Sequence, residues 1–223
     1  MKFNYNKAMK SIFSLIVICV AFTFFSCSRT EPRIVFGFIE LIYYSGEERP
    51  EERFSFFILP EDDDGIENLS ELYLYHDREG LRWQINSSDW VRFEDEGRTW
   101  IGSRNIAMTG GFPLPRGQFR AVLVTKGGES TERRFTFDGP IEPPHPFPVL
   151  SITDGRYVID SRYPINHLIA YDQEGNVVQT ITLTLHEGNV RDLRLSSSAR
   201  SVALWAEDPN FAISALTDAV SLR

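Results

Sequence analysis

The chain has 223 residues, of which 42% are hydrophobic, and its 31 acidic and 23 basic residues give a net charge of −8. This balance argues against nucleic acid or an anionic membrane surface as the main partner, because both carry negative charge. A chain of this length is long enough to bury a core in one or two domains.

The first 26 residues have the order of a secretory signal. Lys2, Lys7 and Lys10 precede an apolar run over residues 11–25, and the small Ser26 then stands before Cys27. A basic start, a short apolar stretch and a small residue before the cut are the parts of such a signal. The run is shorter than the ~20 residues that a spanning helix needs. An uncleaved anchor and simple secretion are the alternatives.

The motif Phe24-Phe25-Ser26-Cys27 resembles the processing site of bacterial lipoproteins, in the relaxed form known from spirochaetes. The resemblance implies that residues 1–26 are a signal peptide that is removed, that Cys27 carries fatty chains such as palmitate, and that residues 27–33 are a lipidated tether. Several such chains anchor a protein stably to a membrane. The implied location is the cell envelope, on its periplasmic or surface face. No cysteine follows Cys27, so the body cannot form an internal disulfide.

Residues 34–138 are predicted to form a first β-sandwich domain. Runs rich in β-branched and aromatic residues, mostly bounded by Gly, Pro, Asp or Asn, indicate strands. These runs lie at 53–59, 71–77, 81–85, 90–93, 118–125 and 132–137. The TKGGES stretch over 125–130 predicts a hairpin turn between two of them.

A Pro-rich linker is predicted over residues 139–148, because prolines lack the backbone donors that a sheet interior requires. Residues 149–223 are predicted to form a second β-sandwich domain, with few contacts crossing the linker. Its strands are expected at 156–160, 167–172, 177–185, 190–195, 201–207 and 218–222. Residues 208–216 fit either a short helix or a loop.

Two further patterns bear on the fold. Segments 71–85 and 167–181 share the order strand, Glu-Gly turn, strand, which is a weak internal repeat. Segment 114–124 resembles the late strands of immunoglobulin-like and fibronectin-like domains, with Phe119 where a corner tyrosine is usual. The resemblance implies an all-β fold of two tandem immunoglobulin-like β-sandwich domains joined by the Pro-rich linker.

Motifs for chemistry are missing from the sequence. The four histidines stand singly, with no spacing typical of a metal site, and there is no nucleophile elbow or phosphate loop. Residues 61–71 (EDDDGIENLSE) could be an irregular calcium loop, but a solvated acidic loop is favoured because Pro60 falls where a ligand carboxylate is needed. We therefore predict no cofactor, no metal and no enzymatic activity.

The candidate ligand surface consists of Trp90, Arg92, Arg98 and Trp100. Strand alternation favours Val91 and Phe93 as the core face, which turns Trp90 outward, and it places Trp100 opposite Ile101. Exposed tryptophan beside arginine is typical of interface hot spots and of surfaces on which sugars stack. The alternative is that a loop or the second domain covers one or both indoles.

The leading hypothesis is a lipid-anchored envelope protein that acts as a non-catalytic binding or structural module. The membrane would be contacted through the lipid on Cys27, and the partner would be an envelope protein or glycan, not nucleic acid. The rival hypothesis is a hydrolase of envelope polymers that uses acidic residues. Two carboxyls that converge in a cleft with separated pKa values would favour the rival.

Overall fold

The computed structural model describes residues 31–46 and 49–222. Within those ranges the chain is all-β, with sixteen strands and no helix longer than four residues, which confirms the predicted fold class. The first half forms β1 (Arg33–Tyr44), β2 (Glu51–Glu61), β3 (Leu69–His76), β4 (Leu81–Asn86), β5 (Val91–Asp95), β6 (Arg98–Ala107), β7 (Gly117–Thr125) and β8 (Ser130–Phe137). The second half forms β9 (Val149–Thr153), β10 (Arg156–Asp160), β11 (Ile165–Tyr171), β12 (Val177–Thr182), β13 (Glu187–Asn189), β14 (Ser201–Asp208), β15 (Ile213–Leu216) and β16 (Val220–Ser221).

The strands build three sheets. The largest has nine strands in the order β12-β11-β14-β15-β1-β2-β6-β5, with β16 paired to β14 beside this path. A four-stranded sheet has the order β4-β3-β7-β8, and a three-stranded sheet has the order β13-β10-β9. Both small sheets pack on the same side of the large one, which we call its inner face.

Side-chain alternation explains this inner face. In β1 and β2 the inner residues include Leu41, Tyr43, Phe54 and Phe56, which join Phe119 and other residues of the four-stranded sheet in one buried cluster. A second buried cluster lies between the three-stranded sheet and strands β11 and β14. Each cluster is a sandwich core, because it is closed by side chains from two facing sheets.

The predicted separation into two independent domains is not confirmed. Strand β1 pairs in parallel with β15, from Leu41 opposite Ile213 to Tyr44 opposite Leu216. Backbone hydrogen bonds therefore join the two halves into one continuous sheet, and the expectation of few contacts across the linker is wrong. The boundaries 34–138, 139–148 and 149–223 stay a prediction.

The Pro-rich segment is anchored along its length and does not act as a free spacer. Arg116 donates to the carbonyl oxygens of Gly139 and Pro140, the latter at 2.7 Å. His145 Nε2 lies 2.8 Å from Asp208 Oδ2, and Phe147 packs against the larger core cluster. Proline excludes this segment from the sheets, but side chains from both halves hold it against them.

The local structure agrees with some of the sequence predictions and contradicts others. The hairpin turn at 125–130 and both repeat segments are confirmed as antiparallel hairpins, formed by β7–β8, β3–β4 and β11–β12. The strand expected at 190–195 is wrong, because Val190–Leu193 is a 3-10 turn. The helix considered for 208–216 is also wrong, because a turn there leads into β15. No helix in the described part of the chain is long and apolar enough to cross a bilayer.

Candidate functional site

The structure places the two predicted site tryptophans in buried positions. Trp90 is 9% exposed and belongs to the larger core cluster, where its Nε1 donates to the carbonyl oxygen of Ile85 at 3.0 Å. Trp100 is 7% exposed and lies on the opposite, outer face of the large sheet. The expectation that both indoles point to solvent is wrong. For Trp90 the predicted alternation is reversed, because the large indole fills the core while Val91 faces outward.

The two predicted site arginines are not part of one surface with these indoles. Arg92 Nη1 lies 2.6 Å from Glu67 Oε1, and Arg98 Nη2 lies 2.9 Å from Glu96 Oε2. Both pairs are exposed, so each contributes little to stability. The four residues do not converge, and the predicted ligand surface is not assembled.

Trp100 instead belongs to an aromatic cluster on the outer face, formed by Phe36, Phe38, Phe57, Phe93 and Trp100. The Phe93 and Trp100 rings are parallel with centroids 6.0 Å apart, and Phe38 lies 5.6 Å from Trp100. The cluster closes because β6 has no side chain at Gly102, opposite Phe57, where a Cβ would lie 2.8 Å from the Phe57 ring. Phe57 and Trp100 are thus buried without a covering sheet, while Phe36 at the edge of the cluster stays exposed.

A cavity of about 470 Å³ extends from this cluster across the outer face. Its lining includes residues from all eight strands of the path from β12 to β5, so the sheet face is concave there. We call this cavity the sheet cleft. Both halves of the chain contribute to it, because β1 and β15 join them. Sequence reasoning missed this site, since no local pattern reveals which strands from distant segments become neighbours.

Two glutamates line the sheet cleft. Glu40 on β1 accepts a hydrogen bond from the Ser214 hydroxyl, and Glu207 on β14 accepts one from Trp205 Nε1. Burial raises the pKa of the Glu40 carboxyl above its ordinary value, and the negative charge of Glu207 raises it further, while the Ser214 hydrogen bond and Arg104 partly offset both effects. Ser214 also lies directly opposite Glu207 in the β14–β15 pair, so the two carboxylates are neighbours and repel each other.

His167 and Thr182 support the Glu207 side of the sheet cleft. His167 Nε2 lies 3.9 Å from Glu207 Oε1, and Thr182 Oγ1 lies 3.1 Å from the other ring nitrogen of His167. Register places His167 directly opposite Trp205. Within residues 31–46 and 49–222 no group of three or more His, Cys, Asp or Glu side chains is arranged to hold a metal ion.

Basic and aromatic groups form the other side of the sheet cleft. Arg104 is exposed, and its guanidinium carbon lies 5.9 Å from the Phe57 ring centroid. No carboxylate in the described ranges forms an ion pair with it. The Arg53 guanidinium lies 4.4 Å from the centroid of the Tyr44 ring. Burial raises the pKa of the Tyr44 hydroxyl. The sheet cleft thus combines rings, two carboxylates and one available guanidinium.

The remaining predicted sites lie elsewhere. In the acidic loop 61–71 the Asp62 carboxylate accepts hydrogen bonds from the Asp64 backbone N–H and from Asn68, at 2.9 and 3.0 Å. Its oxygens are thus used to shape the turn before β3. The signal peptide and Cys27 lie outside the described residues.

Fold and site together define an all-β sandwich protein with a ligand-sized cleft on an open sheet face. No family model and no curated protein matches the chain. Among solved structures, latent PorU from Porphyromonas gingivalis is similar at 14% identity and a TM-score of 0.33, over 86% of this chain and 20% of PorU. The 47-kilodalton lipoprotein Tp47 of Treponema pallidum is similar at 10% identity and a TM-score of 0.33, over 84% of this chain and 51% of Tp47.

A biofilm-associated protein BSP domain is similar at 13% identity and a TM-score of 0.25, over 75% of this chain and 26% of that one. The chain therefore spans about a fifth, a half and a quarter of these three proteins. At such identities and scores, the likenesses carry no argument about function. The functional argument rests on the sheet cleft.

Proposed function

We propose that this protein is a lipid-anchored protein of the bacterial cell envelope that acts as a binding module, with the sheet cleft as its ligand site and no catalytic step. The anchoring part rests on the order of residues 1–27, which ends in Ser26-Cys27. The binding part rests on one observation, the single cavity to which all eight strands of the path contribute.

The size and lining of the sheet cleft support a ligand. Its volume of about 470 Å³ lies within the ~300–1,000 Å³ that is usual for small-molecule sites. Such sites combine mostly apolar walls with a few placed polar groups, as rings and Glu40, Glu207 and Arg104 do here. Exposed apolar patches rimmed by polar groups often mark interaction sites, and no described segment covers this one.

Site-specific photo-crosslinking tests the binding part. Val177 lines the sheet cleft and is 59% exposed, whereas Val158 is 46% exposed on the three-stranded sheet. A photoreactive residue at Val177 should capture an envelope component in native membranes, and one at Val158 should not. Equal capture at both positions, or none at Val177, would contradict a ligand site in the sheet cleft.

Fatty-acid labelling tests the anchoring part. The full-length chain should incorporate labelled palmitate and partition into detergent, and Cys27→Ala should lose both properties. Cys19→Ala is the matched control and should keep both. Labelling of Cys27→Ala, or retention of residues 1–26 on the purified protein, would overturn this part.

One observation favours hydrolysis as a second candidate function. Glu40 and Glu207 line the same cleft, and burial raises the pKa of Glu40, as a general acid requires. A hydrolase should release fragments from envelope polymers, and Glu40→Gln should abolish this release while crosslinking at Val177 persists. A binding module should release none, and Glu40→Gln should then leave the yield of crosslinked ligand largely unchanged.

A further inference from the structure

The chemistry of the sheet cleft narrows the class of ligand, and this step rests on the proposed function. Trp205 is half-buried within the sheet cleft, and the hydrogen bond from its Nε1 to Glu207 fixes the indole along β14. Tyr44 and Tyr171 line the same cavity and are also half-buried. Fixed rings with part of their surface exposed can take an apolar ligand face at little cost in conformational entropy.

Acceptors for hydrogen bonds lie beside these rings. The contacts of Glu207 with Trp205 and His167 both involve Oε1, and the contact of Glu40 with Ser214 also involves Oε1. In the described part of the chain no donor reaches the Oε2 atom of either carboxylate. Ionised carboxylates only accept hydrogen bonds, so each Oε2 needs a donor from the ligand or from water. The Arg104 guanidinium supplies donors from the other side of the sheet cleft.

A ligand that fits has one apolar face and many hydroxyls that both donate and accept. Sugar rings have this composition, because their C–H faces are apolar and their edges carry hydroxyls. The two carboxylates add a restriction on charge. Arg104 offsets only one of their two negative charges, so an acidic ligand would add negative charge to a partly desolvated cleft that is already net negative.

We propose that the sheet cleft binds an uncharged carbohydrate chain, stacked on Trp205 and hydrogen-bonded to Glu40, Glu207 and Arg104, and that it rejects acidic glycans. A protein ligand would need apolar anchors for the rings, and the two free carboxylate oxygens favour a ligand rich in hydroxyl donors.

An array of neutral and acidic bacterial oligosaccharides tests the proposal, together with a matched pair of oligogalacturonides, one a methyl ester and one the free acid. Neutral members of the array should bind. The ester should bind at least about tenfold more tightly than the acid at low salt, and the difference should narrow at high salt because the repulsion is screened. The Glu40→Gln/Glu207→Gln double variant should also reduce the difference in affinity between the ester and the acid.

Variants at Trp205 test the placement. Trp205→Ala should abolish binding of the neutral glycans, and Phe112→Ala, at an exposed ring outside the sheet cleft, should not. Trp205→Phe keeps a ring, so affinity should fall only a few-fold, but quenching of the indole fluorescence by the ligand should be lost.

Each outcome separates this inference from the proposed function. If no neutral glycan binds, if acidic glycans bind equally well, or if Trp205→Ala binds normally, the inference is overturned. If the photoreactive residue at Val177 captures a protein free of glycan, the proposed binding function is supported and the proposed carbohydrate ligand is wrong. If Val177 captures nothing and no glycan binds, both fall.

Discussion

The two faces of the nine-stranded sheet bury similar aromatic side chains in different ways. On the inner face Phe54 and Phe56 are sealed by side chains of a facing sheet. On the outer face Phe57 and Trp100 are covered only by other side chains of the same sheet, and an open cleft with two carboxylates begins beside them. The inner face therefore carries stability. The outer face, which has no covering sheet, can carry recognition.

The largest expected loss of stability comes from a substitution in the core on the inner face. Phe54 is fully buried and contacts the rings of Phe119 and Phe137 at 5.4 and 5.0 Å. Phe54→Ala should lower the free energy of unfolding by about 3–5 kcal/mol, because it leaves a cavity between two sheets. Urea denaturation measures this. The exposed Phe36 on the outer face is the control, and Phe36→Ala should cost clearly less.

The next largest effect is expected from the buried ion pair at the end of the inner face. Glu52 and Arg116 form a bidentate ion pair at 2.9 and 3.0 Å, and both side chains are largely buried. Arg116→Met should cost about 3 kcal/mol, because it leaves the Glu52 carboxylate buried without its partner. Arg98→Met removes an exposed pair and should cost about 1 kcal/mol or less. Equal losses for both variants would show that burial of the Glu52 pair does not matter.

The two buried tryptophans differ in whether the indole N–H has a hydrogen-bond acceptor. Trp90 Nε1 on the inner side has an acceptor, whereas Trp100 Nε1 on the outer face has no hydrogen-bond partner among the described residues. Trp90→Phe should therefore cost about 0.5–1.5 kcal/mol more than Trp100→Phe, since only the first variant loses a hydrogen bond. Thermal unfolding of the two variants measures this difference, and the reverse order would contradict a stabilising role for the Trp90 hydrogen bond.

The smallest expected effects concern one carboxyl on each face. Ionisation of the carboxyl on the inner face should stabilise the fold, and ionisation of the one on the outer face should destabilise it. The hydrogen bond from His145 lowers the pKa of Asp208, so its ionised form stabilises the fold at neutral pH and this contribution is lost as pH falls below the ordinary Asp range. Burial raises the pKa of Glu40, so its ionised form costs stability at neutral pH and this cost is lost as pH falls through its raised pKa.

Urea unfolding at about pH 7.5, 5 and 3.5 tests both signs. Glu40→Gln should stabilise the protein at the highest pH, and the gain should shrink at lower pH. Asp208→Asn should destabilise it at the two higher values, and the loss should shrink at the lowest. A destabilising Glu40→Gln at neutral pH would show that the Ser214 hydrogen bond outweighs burial.

Some elements could be read from the sequence because their cause is local. Alternation and turn residues identify the hairpins at 71–85, 118–137 and 167–181, where neighbouring strands are also consecutive in the chain. Strand β1 was missed although it is central to the large sheet. Its sequence RIVFGFIELIYY is nearly continuous in apolar residues, because both of its faces are partly covered, and such runs lack a period that distinguishes strand from buried helix.

The sequence by itself determined the all-β class, the acidic charge, the turn positions and the signal-like N-terminus, since each depends on residues close together in the chain. Only the tertiary structure decided that β1 pairs with β15, some 170 residues apart, and so joined the two halves into one sheet. The meeting of Glu40 with Glu207 follows from that pairing, whereas the faces of Trp90 and Trp100 follow from the packing of the four-stranded sheet against one side of the large sheet. Register and sheet order are set by which surfaces exclude water together, and this is a property of the whole chain.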